Sequence, residues 1–192
     1  MKTSTSLFLA FLSLTIVSCT VDVPEIDTVP PAFSFQIQGD GFRHTFESDD
    51  DLTSLRLNLK KGAVYQFTYI GSDAGGLRDL LWNYQDDLVS DAQIEISDEL
   101  PMGWYQTTRY EHDFEFYPFV DGIRFQGDIA NPLSGSAISG TFSFNSYSQD
   151  SYPNTFDFIA RDFGGLRDEP NIVISQLSIL LGDHPTELVP ME

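Results

Sequence analysis

Two stretches of the chain carry carboxylates in the same local pattern. Asp73 and Asp79 flank one Gly-Gly pair, and Asp162 and Asp168 flank another. Each stretch is an aromatic and β-branched run that ends in the first Asp, and Leu-Arg-Asp follows the glycines. Calcium binds several carboxylate and carbonyl oxygens from convergent loops. If the two stretches meet in the fold, these four carboxylates supply part of a calcium shell.

A second interpretation of the same residues needs no metal. An Asp side chain can accept hydrogen bonds from backbone groups just downstream, and Gly supplies the positive φ that a sharp reversal requires. Each Asp would then cap its own turn, while Arg78 and Arg167 neutralise the charge. The sequence contains no EF-hand loop. Calcium is therefore an optional ligand in this interpretation, and no cofactor is required.

Trp104 and Tyr105 are the aromatic residues best placed to bind a sugar. They follow Pro101 and Gly103, and this combination predicts a loop in which the rings are exposed. Sugars stack on exposed aromatic faces, and acidic or amide side chains then bind the hydroxyl groups. The ligand predicted for these two residues is a glycan.

Catalytic motifs are missing from the sequence. There is no Gly-x-Ser-x-Gly elbow. Glu111, His112 and Asp113 lie on an alternating segment, where neighbouring side chains point to opposite faces of a sheet. Carboxylates are too numerous for one pair to stand out as a glycosidase dyad. We therefore predict that the protein is not an enzyme.

Charge and cysteine content limit the partners and the source of stability. The 192 residues include 29 Asp and Glu against 10 Lys and Arg, for a formal net charge of −19. Such acidity argues against binding nucleic acid or docking electrostatically on anionic lipid. The single cysteine rules out a disulfide within the chain. A hydrophobic core, for which 14% aromatic residues are available, must hold the domain together.

The N-terminal residues predict an export signal. Leu7 to Val17 is an apolar run, too short for the ~20 residues that span a bilayer but suited to a secretory signal. The run ends in Ile-Val-Ser-Cys at 16–19, which resembles the lipobox of bacterial lipoproteins. This resemblance implies that residues 1–18 are removed and that Cys19 is then acylated with a fatty acid such as palmitate. Because Thr20 rather than Asp follows Cys19, the resemblance also implies an outer-membrane location. It leaves open whether the protein faces the periplasm or the cell surface.

Alternating apolar and polar residues predict an all-β chain with no long amphipathic helix. Residues 19–31 are acidic and Pro-rich and predict an extended tether, and residues 183–192 a tail. Loops are predicted at 97–105 and 131–140. The predicted strands are 33–37, 42–46, 55–59, 64–70, 77–84, 93–96, 110–116, 123–125, 141–146, 156–159 and 172–181.

The order of these features resembles that of bacterial immunoglobulin-like domains. It begins with Val-Pro-Pro at 29–31, continues through the first Asp-x-Gly-Gly turn and a strand containing Trp82, and closes with the second turn and a last strand. The resemblance implies an enlarged immunoglobulin-like β-sandwich of two antiparallel sheets over residues 32–182. The region at about 86–152 is longer than the family needs, through added strands or through an inserted loop region.

The resemblance also assigns strands. Phe67–Ile70 would be strand B, Leu77–Tyr84 strand C, Phe156–Ile159 strand F and Ile172–Leu181 strand G. Strands B and F face each other across such a sandwich. The resemblance therefore implies that Asp73 and Asp162 lie side by side at one end, with four rings in the core: Phe67, Tyr69, Phe156 and Phe158.

These features predict a non-catalytic binding or adhesion module, anchored in the outer membrane and recognising glycans through residues 86–152. The alternative is a structural or accessory lipoprotein of an envelope complex, with an envelope protein as partner and no soluble ligand.

Overall fold

The computed structural model describes residues 21–24, 27–85, 92–96, 99–109, 119–144, 154–164 and 169–191. Across these ranges the chain forms twelve strands and one short 3-10 turn, Leu52–Ser54, and it contains no helix long and apolar enough to cross a membrane. The strands are β1 (Ala32–Gly39), β2 (Phe42–Glu47), β3 (Leu55–Lys60), β4 (Val64–Ser72), β5 (Leu77–Gln85), β6 (Ala92–Ile96), β7 (Trp104–Arg109), β8 (Phe119–Gln126), β9 (Gly135–Phe144), β10 (Asn154–Asp162), β11 (Ile172–Gly182) and β12 (Glu187–Pro190).

The strands form two packed sheets. One has five strands in the order β2-β1-β4-β9-β6, and the other has seven in the order β12-β3-β11-β10-β5-β8-β7. The all-β, immunoglobulin-like sandwich predicted from the sequence is confirmed. The strands of the two repeated stretches, β4 and β10, lie in opposite sheets, which are the positions expected for strands B and F.

Aromatic rings from both sheets fill the core. Phe67, Tyr69, Phe156 and Phe158 are all buried, as predicted. Phe35 of β1 lies 4.9 Å from Trp82 and 5.0 Å from Phe158, measured between ring centroids. Each aromatic side chain buries on the order of 150–250 Å². This density of rings gives the domain a core that needs no disulfide.

The seven-stranded sheet differs from the expected antiparallel arrangement at β3. This strand pairs in parallel with β11, with Leu57 opposite Ile179. Its other neighbour is β12, which is antiparallel to it and lies in the stretch predicted to be a tail. After β11 the chain returns, and β12 covers the edge of β3 that β11 leaves free.

A network of polar side chains holds this return of the chain. The hydroxyl groups of Thr186 and Tyr65 are 2.6 Å apart, and Thr186 also donates to Oδ2 of Asp40 over 3.0 Å. Asp40 lies in the turn between β1 and β2, so the network joins the C-terminal segment to the five-stranded sheet. The tail prediction was wrong because four residues are too few to show alternation.

Extra strands enlarge both sheets in the region 86–152. Its described part contains β6, which extends the five-stranded sheet, and β7 and β8, which extend the other. The loops predicted at 97–105 and 131–140 are shorter than expected, because β7 begins at Trp104 and β9 at Gly135. The first part of β9 consists of small residues such as Ala137, which show no alternation of large apolar and polar side chains. Its backbone nevertheless pairs with β4. The strand predicted at 110–116 lies outside the described residues.

The two ends of the sandwich differ. At one end β4 leads into β5 and β10 into β11, so both repeated turns lie there; we call it the repeat end. At the opposite end, β5 ends at Gln85, β7 at Arg109 and β9 at Phe144. The strands that follow them, β6, β8 and β10, begin at that same opposite end.

Candidate functional site at the repeat end

Three carboxylates meet at the repeat end. Asp27, Asp73 and Asp162 each place an oxygen within 4.8 Å of the other two. Asp73 and Asp162 are buried and Asp27 is half-buried. A backbone hydrogen bond of 3.0 Å from the amide of Phe163 to the carbonyl of Gly76 links the two turns directly. The expectation that Asp73 and Asp162 lie side by side agrees with this geometry.

Asp73 directly follows β4 and closes its own turn. Its Oδ1 accepts a hydrogen bond of 2.8 Å from the backbone amide of Gly75, and its own amide donates to the carbonyl of Ser134 over 2.9 Å. Burial raises the pKa of the Asp73 carboxyl; the Gly75 amide opposes this, and the charges of Asp162 and Asp27 raise the pKa further. A raised pKa means that the folded state favours protonated Asp73. Its contribution to stability is therefore present at acidic pH and is lost as the pH rises through that pKa.

Asp162, the last residue of β10, is held by Asn171. The backbone amide of Asn171 donates to Oδ1 over 2.8 Å, and its side-chain Nδ2 donates to Oδ2 over 2.6 Å. The same Nδ2 donates to the backbone carbonyl of Asp27 over 3.0 Å. Asn171 thus ties the second repeated turn to the N-terminal segment. No pattern in the sequence distinguishes Asn171 from an ordinary loop residue.

Asp27 sits between the two glycine pairs. A Cβ atom added to Gly164 would overlap Cβ of Asp27, and one added to Gly75 would overlap Oδ2 of the same residue. The first glycine of each pair therefore makes room for the same side chain. Gly76, the second glycine of the first pair, has a φ of 109°, which is the reversal expected of it.

The N-terminal segment lies against the domain, whereas the sequence predicted an extended tether. The amide of Val21 donates to the carbonyl of Pro132 over 3.1 Å, in the connection between β8 and β9. Asp27 makes the contacts with Gly75 and Gly164, and Pro24 lies next to Gly75. Proline-rich composition predicted the extended backbone but gave no sign of the surface that this backbone covers. Cys19 lies outside the described residues.

Asp79 does not join the three carboxylates, so its assignment to the cation site was wrong. Its Oδ1 accepts hydrogen bonds from Arg124, of 2.6 Å from Nη2 and 3.2 Å from Nε. Its Oδ2 lies 3.7 Å from nitrogens of Arg78 and Arg161. These arginines surround the Asp79 carboxylate on the outer face of the seven-stranded sheet and balance its charge there. Asp168, the fourth predicted ligand, lies outside the described residues.

Trp104 is a core residue, and its assignment as an exposed sugar platform was wrong. It is 5% exposed, its Nε1 donates to Oγ of Ser136 over 2.7 Å, and its ring packs on Phe125 and Tyr69. Tyr105 points to the other side of the same strand and is 37% exposed. The Pro-Met-Gly sequence before them predicted a loop, but β7 starts immediately after it.

The three carboxylates form a strongly negative group from three separate segments of the chain. Within the ranges that the structure describes, no lysine or arginine forms an ion pair with Asp27, Asp73 or Asp162. Hard divalent cations prefer oxygen ligands of this kind, supplied by convergent loops. Three carboxylates at these separations can bind a cation, and the hydrogen bonds to Asp73 and Asp162 show that these two also cap turns.

No protein-family model matches the chain, and no curated protein matches it. Among solved structures, the chain is similar to a cohesin module from Clostridium perfringens ATCC13124 family 33 glycoside hydrolase. The sequences are 9% identical, and the match covers 79% of this chain and 98% of that one, with a TM-score of 0.35. So distant a likeness identifies neither a family nor a ligand. The residues of the site itself therefore carry the functional proposal.

Substitution of Gly164 by Ala tests the contact between the repeated turns and the N-terminal segment. The added methyl group would overlap Asp27, so we expect Gly164→Ala to lower the free energy of unfolding by about 1–3 kcal/mol. Urea unfolding followed by circular dichroism measures this change.

The control is a second substitution that removes the obstructing side chain. All three atoms nearest to the added methyl group belong to Asp27, so Asp27→Gly should restore most of the stability lost in Gly164→Ala. If the double variant is as unstable as the sum of the two single variants, the contact is not the source of the loss.

Proposed function

We propose that the protein is a non-catalytic binding module, anchored in the bacterial outer membrane through an acyl group on Cys19. The position of the N-terminal segment carries this proposal. Val21 is bonded at the repeat end, and Cys19 precedes it by two residues, a reach of about 7 Å. An acyl chain on Cys19 would enter the lipid. The repeat end would then lie next to the membrane, and the opposite end would face away from it.

The opposite end is the part of the fold best placed to meet a ligand. The pairs of strands that adjoin there include three with ends at residues 85 and 92, 109 and 119, and 144 and 154. The connecting residues lie outside the described ranges, and their sequences contain Tyr110, Tyr117, Tyr147 and Tyr152. Tyr, Ser and Asn are the residues that loop-based binding sites use most. We assign glycan recognition to this end.

The second candidate function is that of an accessory lipoprotein that joins an envelope complex and has no soluble ligand. The enlarged sheets favour it, because β6, β7 and β8 widen both faces of the sandwich beyond what a small immunoglobulin-like domain offers. In this case the partner is a protein, and the exposed sheet faces rather than the strand ends make the contact.

Replacement of Cys19 tests the anchor. We expect Cys19→Ala to move the protein out of the membrane fraction and to remove the mass of the acyl group, because no other cysteine exists to carry it. Fractionation and intact-mass spectrometry of the wild type and the variant measure both effects. An unchanged distribution and mass would contradict the proposed location.

A glycan array and co-purification distinguish the two candidate functions. A binding module should retain a subset of glycans on the array, and Tyr147→Ala with Tyr152→Ala should abolish that retention. Tyr105→Ala is the matched control, since Tyr105 is an exposed tyrosine on a sheet face. Loss with Tyr105→Ala instead would place the sugar on that face. No retention, together with a stoichiometric protein partner in solubilised membranes, would replace the binding module by the accessory role.

We also propose that calcium stabilises the repeat end through Asp27, Asp73 and Asp162. A hundredfold excess of calcium over its dissociation constant would add about 2.7 kcal/mol of stability by mass action. Melting in calcium and then in chelator should therefore differ for the wild type. The difference should vanish in Asp73→Asn and in Asp162→Asn.

A carboxylate outside the group of three provides the control for the calcium experiment. Asp128→Asn should keep the calcium shift, because that exposed carboxylate only closes its own turn with Ala130 and Asn131. In chelator at neutral pH, Asp73→Asn should melt at or above the wild-type temperature, since burial raises the pKa of Asp73 and makes its charged form unfavourable. If the wild type melts at the same temperature in calcium and in chelator, calcium does not bind, and Asp73 and Asp162 only cap their turns.

A further inference from the structure

Three arginines gather around one carboxylate on the outer face of the seven-stranded sheet. Arg124 from β8 makes two hydrogen bonds to Oδ1 of Asp79. Arg78 and Arg161 approach Oδ2 from β5 and β10, each at 3.7 Å. The last two distances exceed that of a hydrogen bond. Asp79 therefore holds Arg124 firmly and the other two arginines only loosely.

This group is electropositive within a strongly acidic protein. The chain has 10 Lys and Arg against 29 Asp and Glu, yet three of the basic residues surround a single acid. One carboxylate balances one guanidinium, so among the described residues the group keeps an excess of positive charge. The side chains of Arg78 and Arg161 are 46% and 31% exposed, which leaves their N–H groups accessible from solvent.

The buried position of Asp79 explains why the arginines converge. Asp79 lies opposite Arg161 of β10 and opposite Gln126 of β8, two residues along from Arg124. It is buried, and a buried charge without a partner is costly. Asp79 thus holds Arg124 in place by hydrogen bonds and attracts Arg78 and Arg161 to the same part of the sheet face, without fixing either by a hydrogen bond.

Apolar side chains flank the arginines on the same face. The strand registers place one residue of each of five neighbouring strands in a single row, about 19 Å long. Ile174 of this row is 65% exposed, and Ile172, opposite Arg161, is also exposed. Protein interfaces are enriched in arginine and tyrosine, and their buried centres are more apolar than the rest of the surface. The row consists of Ile174, Ile159, Leu81, Arg124 and Tyr105.

We propose that this face binds an acidic segment of a partner protein. Carboxylates of the segment pair with Arg78 and Arg161, and its apolar side chains cover Ile172 and Ile174. An anionic membrane fits less well, because it would face a large part of a protein whose net charge of −19 repels it, whereas a short segment meets only the group of arginines. A sulfated sugar would leave the two isoleucines uncovered. The proposal does not depend on the lipid anchor or on glycan binding.

Fluorescence polarisation with labelled peptides tests the proposal. The probe is a twelve-residue peptide of alternating Glu and Leu, and its control has Gln in place of Glu. We expect the Glu peptide to bind the full-length protein and the Gln peptide not to bind. Combined Arg78→Gln and Arg161→Gln should weaken binding at least about tenfold, since each charge-assisted hydrogen bond contributes that much. This variant keeps the pair of Arg124 with Asp79, and Arg43→Gln, on β2 of the other sheet, is the control for lost charge.

Further arms of the experiment identify the source of the anion and guard against misfolding. Methyl NMR of the wild type with the Glu peptide should shift the signals of Ile172, Ile174 and Leu81, which requires no variant. Binding of phosphatidylglycerol vesicles or of a heparin oligosaccharide, without binding of the Glu peptide, would overturn the choice of a protein partner. Absence of binding by all three probes, or an equal loss in Arg43→Gln, would overturn the site.

Discussion

The packing of aromatic rings between the two sheets is the interaction on which the other features of the structure depend. Phe35 stands at its centre and contacts Phe67 and Tyr69 of its own sheet and Trp82, Phe156 and Phe158 of the opposite sheet. Tyr69 adds a polar link, because its hydroxyl donates to the carbonyls of Leu81 and Ile159 over 3.2 and 3.4 Å. These contacts fix β4 against β5 and β10. The ends of β4 and β10 then coincide, and that coincidence brings Asp73 to Asp162.

The fold could be predicted because the alternation of apolar and polar residues that indicates a strand is a local pattern, and it recurs along most of the chain. Alternation along β4 and β10 is the signal behind the predicted burial of Phe67, Tyr69, Phe156 and Phe158, since side chains on a strand alternate between two faces. The parallel pairing of β3 and the presence of β12 could not be predicted, because they depend on which edge is free once the sheets have formed. The burial of Trp104 was missed for the same reason: its environment consists of Tyr69 and Phe125, which are distant in sequence.

The candidate site was predictable only in the part that the repeat defines. Asp73 directly follows β4, and Asp162 is the last residue of β10. The packing of these two strands across the core therefore determines how far apart the two carboxylates lie. Asp79 stands at a fixed offset from the first glycine pair, but β8 and β10 bring Arg124 and Arg161 to it, and spacing along the chain carries no information about such neighbours. Asp27 was missed because a Pro-rich acidic stretch has no periodicity that indicates which surface it contacts.

The two glycine pairs show why a sequence can repeat without repeating a function. Gly75 and Gly164 are not equivalent parts of two separate turns; they form the two walls of one space, which a single Asp27 side chain occupies. A side chain at either position would meet the same obstacle, so the same small residue is required in both turns. Asn171 bonds both to Asp162 and to the backbone of Asp27, and this joins the second turn to the segment between the walls. The N-terminal segment is therefore packed into the sandwich, between the turns that follow β4 and β10.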